Sequence, residues 1–146
     1  MTPSAVFTVA NTIALLSWIV LAVLPRWRWT LRVTDLIVPV AFAVIYTMIL
    51  ITTWGTAKGG FSTLADVALL FDNPWVLLAG WIHYLAFDLF VGTWEVRDAA
   101  AHGIPHRLVV PCLALTFMFG PAGWLLYQAV RMAYARRIGS SLVVRG

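Results

Sequence analysis

Four apolar stretches, roughly Ala5–Leu24, Leu36–Trp54, Pro74–Thr93 and Leu108–Val130, dominate this chain. Each approaches or exceeds the ~20 residues that carry a helix across a hydrocarbon core. Only 11% of the 146 residues are charged and 62% are hydrophobic, against about a quarter charged in soluble domains. A water-soluble core of this size cannot absorb so much apolar surface, so lipid must be the solvent for most of it. The expected fold is all-α, an integral-membrane four-helix bundle forming one domain over 1–146. Its spans fall at about 5–24, 36–54, 74–98 and 108–130, with a short interfacial helix between the second and third.

Local signals refine this outline. The first stretch lacks a basic segment ahead of it, and Pro25-Arg26-Trp27-Arg28 replaces a small-residue cleavage site, so it reads as a span rather than a removed signal. Its polar residues, Asn11, Thr12 and Ser17, can bond within the helix or to a neighbour. Arg26 to Arg32, with Trp27 and Trp29, form an interfacial belt. Pro39 falls in the first turn of the second span, where its missing N–H is harmless. Gly55, Gly59 and Gly60 break the chain. Residues 61, 64, 67, 68 and 71 are then apolar at helical spacing over a segment too short to cross. Asn73-Pro74 reads as an N-cap followed by the first helical position, and nothing stops that helix before Gly103. Pro111 should cap or kink the fourth span early, and Gly120-Pro121 should kink it near its middle.

The net charge is +4. Its basic residues lie between and after apolar runs, which suits anionic lipid headgroups and not nucleic acid. With four crossings, Arg26, Arg28, Arg32, Arg97 and Arg107 share one side. Lys58, Arg131, Arg136, Arg137 and Arg145 share the other, and this even division gives the positive-inside rule nothing to work with. The basic cluster at the C-terminus favours a cytoplasmic C-terminus. The single cysteine, Cys112, lies in an apolar run, cannot form an internal disulfide and lacks an evident activating partner.

Polar chemistry is concentrated on the third span and just after it. Three of six acidic residues, Asp88, Glu95 and Asp98, and all three histidines, His83, His102 and His106, lie between 83 and 106. At ~1.5 Å per residue, Asp88 sits ~21 Å beyond Pro74, near or past mid-membrane. A carboxylate there costs ~2.5–3.5 kcal/mol by insertion scales and is a functional hypothesis by default. At ~100° per residue, Asp88, Glu95, Asp98 and His102 fall within an arc of roughly 80°. His83 lies roughly 140° from Asp88, so the two would point towards different neighbouring helices.

Each residue also has a purely structural reading. Asp88 and His83 can hold helices together by interhelical hydrogen bonds. Glu95, Arg97, Asp98, His102, His106 and Arg107 fit a solvated, salt-bridged helix end. Lys58 and Asp66 read as loop charges, and most tryptophans as interface belt, although Trp81 is deep enough to line a cavity. Three chemistries remain open. One is acid–base work on an apolar substrate by a carboxyl held in low dielectric. Another is a metal site, weakly signalled because no HExxH or ExxH pattern occurs; no metal ligands are assigned. The third, nucleophilic catalysis, has little support.

The block Trp81-Ile82-His83-Tyr84-Leu85-Ala86-Phe87-Asp88-Leu89-Phe90 resembles the abscisic-acid-deficient-four-like family. So do Asp98, the Arg107 region, Pro111-Cys112 and Phe119-Gly120-Pro121-Ala122-Gly123. The resemblance covers roughly Gly59–Arg131 and reaches the first two spans only by hydropathy. Its plant members are chloroplast membrane proteins required to form neoxanthin from violaxanthin, a step that opens an epoxide and creates an allene without net redox change. The resemblance therefore implies a four-helix membrane protein and a carotenoid-type substrate. An acid would protonate the epoxide oxygen and a base would remove a polyene proton. His83 and Asp88 match the family block and fit those roles, with Asp98 and Arg107 supporting or orienting the site. Trp81, Tyr84, Glu95, His102 and His106 would contact substrate. Glu95 and the Gly103–His106 turn depart from the plant pattern.

The sequence thus points to an integral-membrane enzyme of carotenoid or isoprenoid metabolism, performing acid–base isomerisation on a long apolar substrate that enters laterally. The alternatives are a non-catalytic carotenoid- or lipid-binding accessory subunit and, third, a metal-dependent membrane enzyme. The expected setting is multi-pass, in a bacterial cytoplasmic membrane. The partners are membrane lipid and the apolar substrate, without nucleic acid. A homodimer with a shared groove would help enclose a polyene. The sequence names no cofactor.

Overall fold

The structure, a computed structural model, describes residues 1–143, with side chains to residue 135. The described residues form helices and no strand. Among the described residues, three helices are long and apolar enough to cross a membrane: α1 (Pro3–Val23), α2 (Thr30–Thr53) and α4 (Pro74–Ala101). The short α3 (Leu64–Phe71) joins α2 to α4, and α5 (His106–Phe119) and α6 (Pro121–Val143) follow.

Local chemistry sets the helix ends. In α1 the Thr2 hydroxyl accepts from the Ala5 amide and Pro3 takes the first turn, where a missing N–H leaves nothing unpaired. Pro39 opens the regular part of α2, as the sequence suggests, but the helix extends backwards from it to Thr30. Val33–Ile37 forms a wide turn in which the Val38 amide reaches Val33 O. That widening moves the Asp35 carbonyl away from the Pro39 ring, which would otherwise clash with it. At the start of α3, Thr63 accepts from the Asp66 amide at 3.1 Å and donates to the Asp66 carboxylate at 2.8 Å. Asp66 is therefore a local cap. Asn73 caps α4 through the Trp75 amide at 2.9 Å. At the far end of α4 the Ile104 amide reaches Ala99 O and the Gly103 amide reaches Ala100 O. With Gly103 at φ +66°, this is a Schellman closure.

Helix α4 is the centre of the molecule and packs against α1, α2, α5 and α6. It runs parallel to α1: Trp81 packs at a tilt against Phe7, ring centres 5.6 Å apart, and Gly92 leaves room for the Trp18 ring, which would lie 2.5 Å from an added Cβ. It runs antiparallel to α2, with Tyr46 beside His83 and Asp35 on Arg97. Leu21, Phe42, Ile82, Leu89 and Leu113 are fully or almost fully buried where these helices meet. Outward, Leu16, Met48, Ile51, Phe87, Met118 and Leu125 are exposed, an apolar exterior matched to lipid and not to water.

The fourth apolar stretch departs from expectation. It does not form one kinked span but is divided at Gly120 (φ +44°, ψ −99°) into two helices that fold back on each other. Helix α5 descends along α4, from His106 just past its end to Thr116 on Glu95 and Phe117 on Tyr84. The turn sits against Asp88, whose carboxylate would lie 2.9 Å from a Cβ on Gly120. Helix α6 then climbs back, placing Tyr127 and Arg131 on Asp98. Gly123 makes the reversal possible, because a Cβ there would overlap the backbone and hydroxyl of Thr116. Hydropathy registers only the length of an apolar run, and a run divided between two helices that fold back on each other carries the same signal as one crossing.

Candidate functional site around Asp88

Asp88 lies halfway along α4, 14 residues after Pro74 and 13 before Ala101. The helix presents Tyr84, Asp88, Glu95 and Asp98 towards the α5–α6 hairpin, and the hairpin gives each a different environment.

At the hairpin tip, Asp88 is partly buried and its Oδ2 is enclosed without a hydrogen-bond partner among the described residues. A cavity of about 290 Å³ opens beside it, lined by Asp88, Val91, Gly120, Pro121 and Trp124. One turn earlier, Tyr84 donates to the Phe117 carbonyl at 2.8 Å, using the last turn of α5 before the chain reverses. The site thus combines a carboxyl with an oxygen unpartnered among the described residues, a phenol on the same side of α4, and an outward-facing indole.

Deeper in the helix interface, Glu95 is 0% exposed. Its Oε1 accepts from Thr116 Oγ1 at 3.0 Å and its Oε2 has no partner among the described residues. Sequence reasoning placed Glu95 where the helix leaves the membrane. The returning hairpin covers that part of α4 and buries it, and it is not among the residues lining the cavity at Asp88.

Near the end of α4, Asp98 accepts from the Tyr127 hydroxyl at 2.6 Å and pairs with Arg131 Nε at 2.8 Å. His102 closes the group: its Nδ1 lies 2.8 Å from Asp98 O, and its Nε2 lies 3.1 Å from an Arg131 nitrogen. Donation from Nδ1–H to the carbonyl leaves Nε2 free to accept from the guanidinium. Tyr127, fully buried, was not singled out from the sequence. The only sequence signal for it is its place one turn before Arg131.

The other predicted residues lie elsewhere. His83 is exposed, stacked on Phe87 at 4.6 Å and beside Tyr46 of α2 at 5.7 Å. It faces away from Asp88, as the helical angle predicts, and the two do not meet. Trp81 donates to Asn11 Oδ1 at 3.1 Å and lines a second cavity of about 300 Å³ with Phe7, Pro74 and Leu77. His106 Nε2 donates to Ala22 O at 2.8 Å, closing the last turn of α1. Arg107 is exposed and meets no carboxylate among the described residues. Among the described residues, no three of His, Cys, Asp and Glu come together as a metal-ligand set. A third cavity, of about 750 Å³, lies between α1 and α2, lined by Ala10, Ile13, Phe42, Ile45 and Ile49 among others. It contains none of the predicted site residues.

No curated protein and no solved structure matches this chain. A family model does match, over residues 5–127, which run from α1 into the second turn of α6 and include Tyr84, Asp88, Glu95, Asp98, His102 and Tyr127 but not Arg131. The chain belongs to the ABA DEFICIENT 4-like family.

Proposed function

We propose that this is a multi-pass membrane protein of carotenoid or isoprenoid metabolism in which Asp88 handles a proton on a long apolar substrate. The family supports the carotenoid-related setting. The observation that carries the chemistry is Asp88 itself, a mid-helix carboxyl with an unpartnered oxygen beside a cavity at the hairpin tip. A carboxyl at that depth is unfavourable unless something uses or satisfies it. Lateral entry from the bilayer suits a substrate without charge. The reaction is an isomerisation: the carboxyl donates a proton to an epoxide or similar oxygen as its C–O bond breaks, the carboxylate so formed takes a polyene proton as the C–H electrons become the new double bond, and no electron acceptor is needed. Shielding from water protects the cationic intermediate.

Tyr84 is the nearest second polar group on that side of α4, so it is the better partner for Asp88 on one substrate. His83, against α2, serves this reading only if the substrate reaches around α4. Three crossings, α1, α2 and α4, with a hairpin that enters and returns, describe the membrane arrangement. A bacterial cytoplasmic membrane is the proposed location. A second copy of the chain would supply the enclosure that these few helices lack.

The test is a pigment profile by liquid chromatography and mass spectrometry in hosts making β-carotene, zeaxanthin or violaxanthin. A new peak of unchanged mass should appear with the wild type and fall at least about tenfold with Asp88→Asn, a floor set below the ~10²–10⁴-fold that one proton-transfer group contributes. Unchanged yield in the variant refutes the role of Asp88.

A second reading is an accessory carotenoid- or lipid-binding subunit. The larger apolar groove between α1 and α2 favours it, since its volume fits a ligand site while its lining offers no acid or base. It predicts copurified pigment without turnover. The metal-dependent reading has no ligand set among the described residues to build on.

A further inference from the structure

We infer that the end of the helix assembly carrying Arg26, Arg28, Arg32, Arg97, Arg107 and Arg131 faces the cytoplasm and seats on the anionic headgroups of that leaflet. The inference rests on the multi-pass reading above and follows from the reversal at Gly120. A fourth crossing would place Arg131 opposite Arg107. The hairpin instead returns Arg131 to the end where α4 finishes, on Asp98 and His102.

The two ends are then unlike. One gathers the α1–α2 loop, the α4–α5 turn and the returning α6. It holds those six arginines against two carboxylates, Asp35 and Asp98. The other, where α1 begins and α3 lies, holds Lys58 against Asp66 and Asp72. The side chains of Arg136 and Arg137, and Arg145, lie outside the described residues and are not needed for this contrast. Short loops rich in arginine stay on the cytoplasmic side, because the anionic leaflet attracts them and translocation is unfavourable.

Occupancy of the arginines points to headgroups. Arg97 is held by Asp35 at 2.7 Å and Arg131 by Asp98 at 2.8 Å. Arg26, Arg28, Arg32 and Arg107 meet no carboxylate among the described residues. The guanidiniums of Arg28 and Arg32 each lie 5.1 Å from the centre of the Trp29 ring, and Trp29 and Trp27 are exposed beside them. Indole at headgroup depth with unpaired guanidinium around it is the arrangement that lipid phosphate completes.

The test uses a Cys112→Ala background, since Cys112 is the only native thiol and is buried. Phe61→Cys and Ala101→Cys, both at exposed positions on opposite ends, are expressed separately in a bacterial host and treated with a membrane-impermeant maleimide. Phe61→Cys should label in intact cells and Ala101→Cys only after permeabilisation. Any other pattern overturns the orientation. Alkaline extraction separates the failures: a released protein defeats the membrane reading itself, whereas a retained protein with the wrong pattern defeats only this inference. For the headgroups, thermal unfolding is compared in phosphatidylcholine vesicles, the same vesicles with phosphatidylglycerol, and phosphatidylcholine with inorganic phosphate. Wild type should gain stability only with phosphatidylglycerol. A variant with Arg26, Arg28, Arg32 and Arg107 all changed to Gln should lose that gain. A gain from free phosphate alone, or one the variant retains, overturns the headgroup assignment.

Discussion

Thr116→Val isolates the contact between the hairpin and the buried carboxyl of α4. Valine keeps the shape of threonine and removes the only donor to Glu95 Oε1 among the described residues, at 3.0 Å, while both residues are 0% exposed. Glu95 would then have neither oxygen partnered. Interhelical hydrogen bonds in membranes contribute on average ~0.6 kcal/mol and at most ~1.7, and an unsatisfied buried group costs about 1–3 kcal/mol. The expected loss is therefore about 1–2 kcal/mol. Glu95→Leu removes the carboxyl at similar volume. The Thr116 hydroxyl it strands can turn to the Cys112 carbonyl one turn back, so that variant should lie within about 1 kcal/mol of wild type. The double variant, apolar on both sides, should be at least as stable as Thr116→Val alone and close to wild type. Reversible unfolding from mixed micelles, followed by tryptophan fluorescence, measures all four corners of this cycle. If Thr116→Val costs less than about 0.5 kcal/mol, or Glu95→Leu costs more than about 3 kcal/mol, Glu95 is not a structural carboxyl held by Thr116.

Two further substitutions probe the turn. Gly123→Ala places a methyl inside the Thr116 backbone, so the hairpin must spread; overpacking of about 1–3 kcal/mol should appear in the same unfolding assay, with faster proteolysis of α6. Gly120→Ala meets both a positive φ of +44° and the Asp88 carboxylate at 2.9 Å. It should cost about 1–2 kcal/mol from backbone conformation alone and lower product formation beyond the stability loss, because the methyl enters the cavity at Asp88.

The parts of the fold legible in the sequence were those that local chemistry controls. Asn73-Pro74 starts α4 and Gly103 ends it because capping involves only neighbouring residues. The rotation between His83 and Asp88 was readable because it depends on helical pitch alone. The hairpin was not readable from hydropathy, although a signal for it existed. Glycine suits the position after a helix and proline the first position of the next, so Gly120-Pro121 is as good a stop and start as a kink. Which of the two forms is decided by Gly123 meeting Thr116, a tertiary contact. Asp98 was read as part of a solvated helix end. Its partners Tyr127 and Arg131 come from 29 and 33 residues later, and only the reversal brings them there.

The same reversal separates the two inner carboxyls of α4. Asp88 and Glu95 are two turns apart on neighbouring lines of one helix, and a continuous fourth span would have passed both in the same way. Because the chain turns back at Gly120, the hairpin is thick over Glu95 and ends at Asp88. Glu95 is consequently closed between helices and bonded by Thr116, while Asp88 sits at the tip, with one oxygen unpartnered and a cavity beyond it. A group that must meet a membrane-dissolved substrate needs an edge of the protein at mid-depth, and the hairpin tip is such an edge. The depth of the turn therefore sets which carboxyl is closed between helices and which borders a cavity, the one proposed to face substrate. It also returns Arg131 to the arginine-rich end, so one glycine-proline step underlies both the placement of the site and the orientation inferred for the chain.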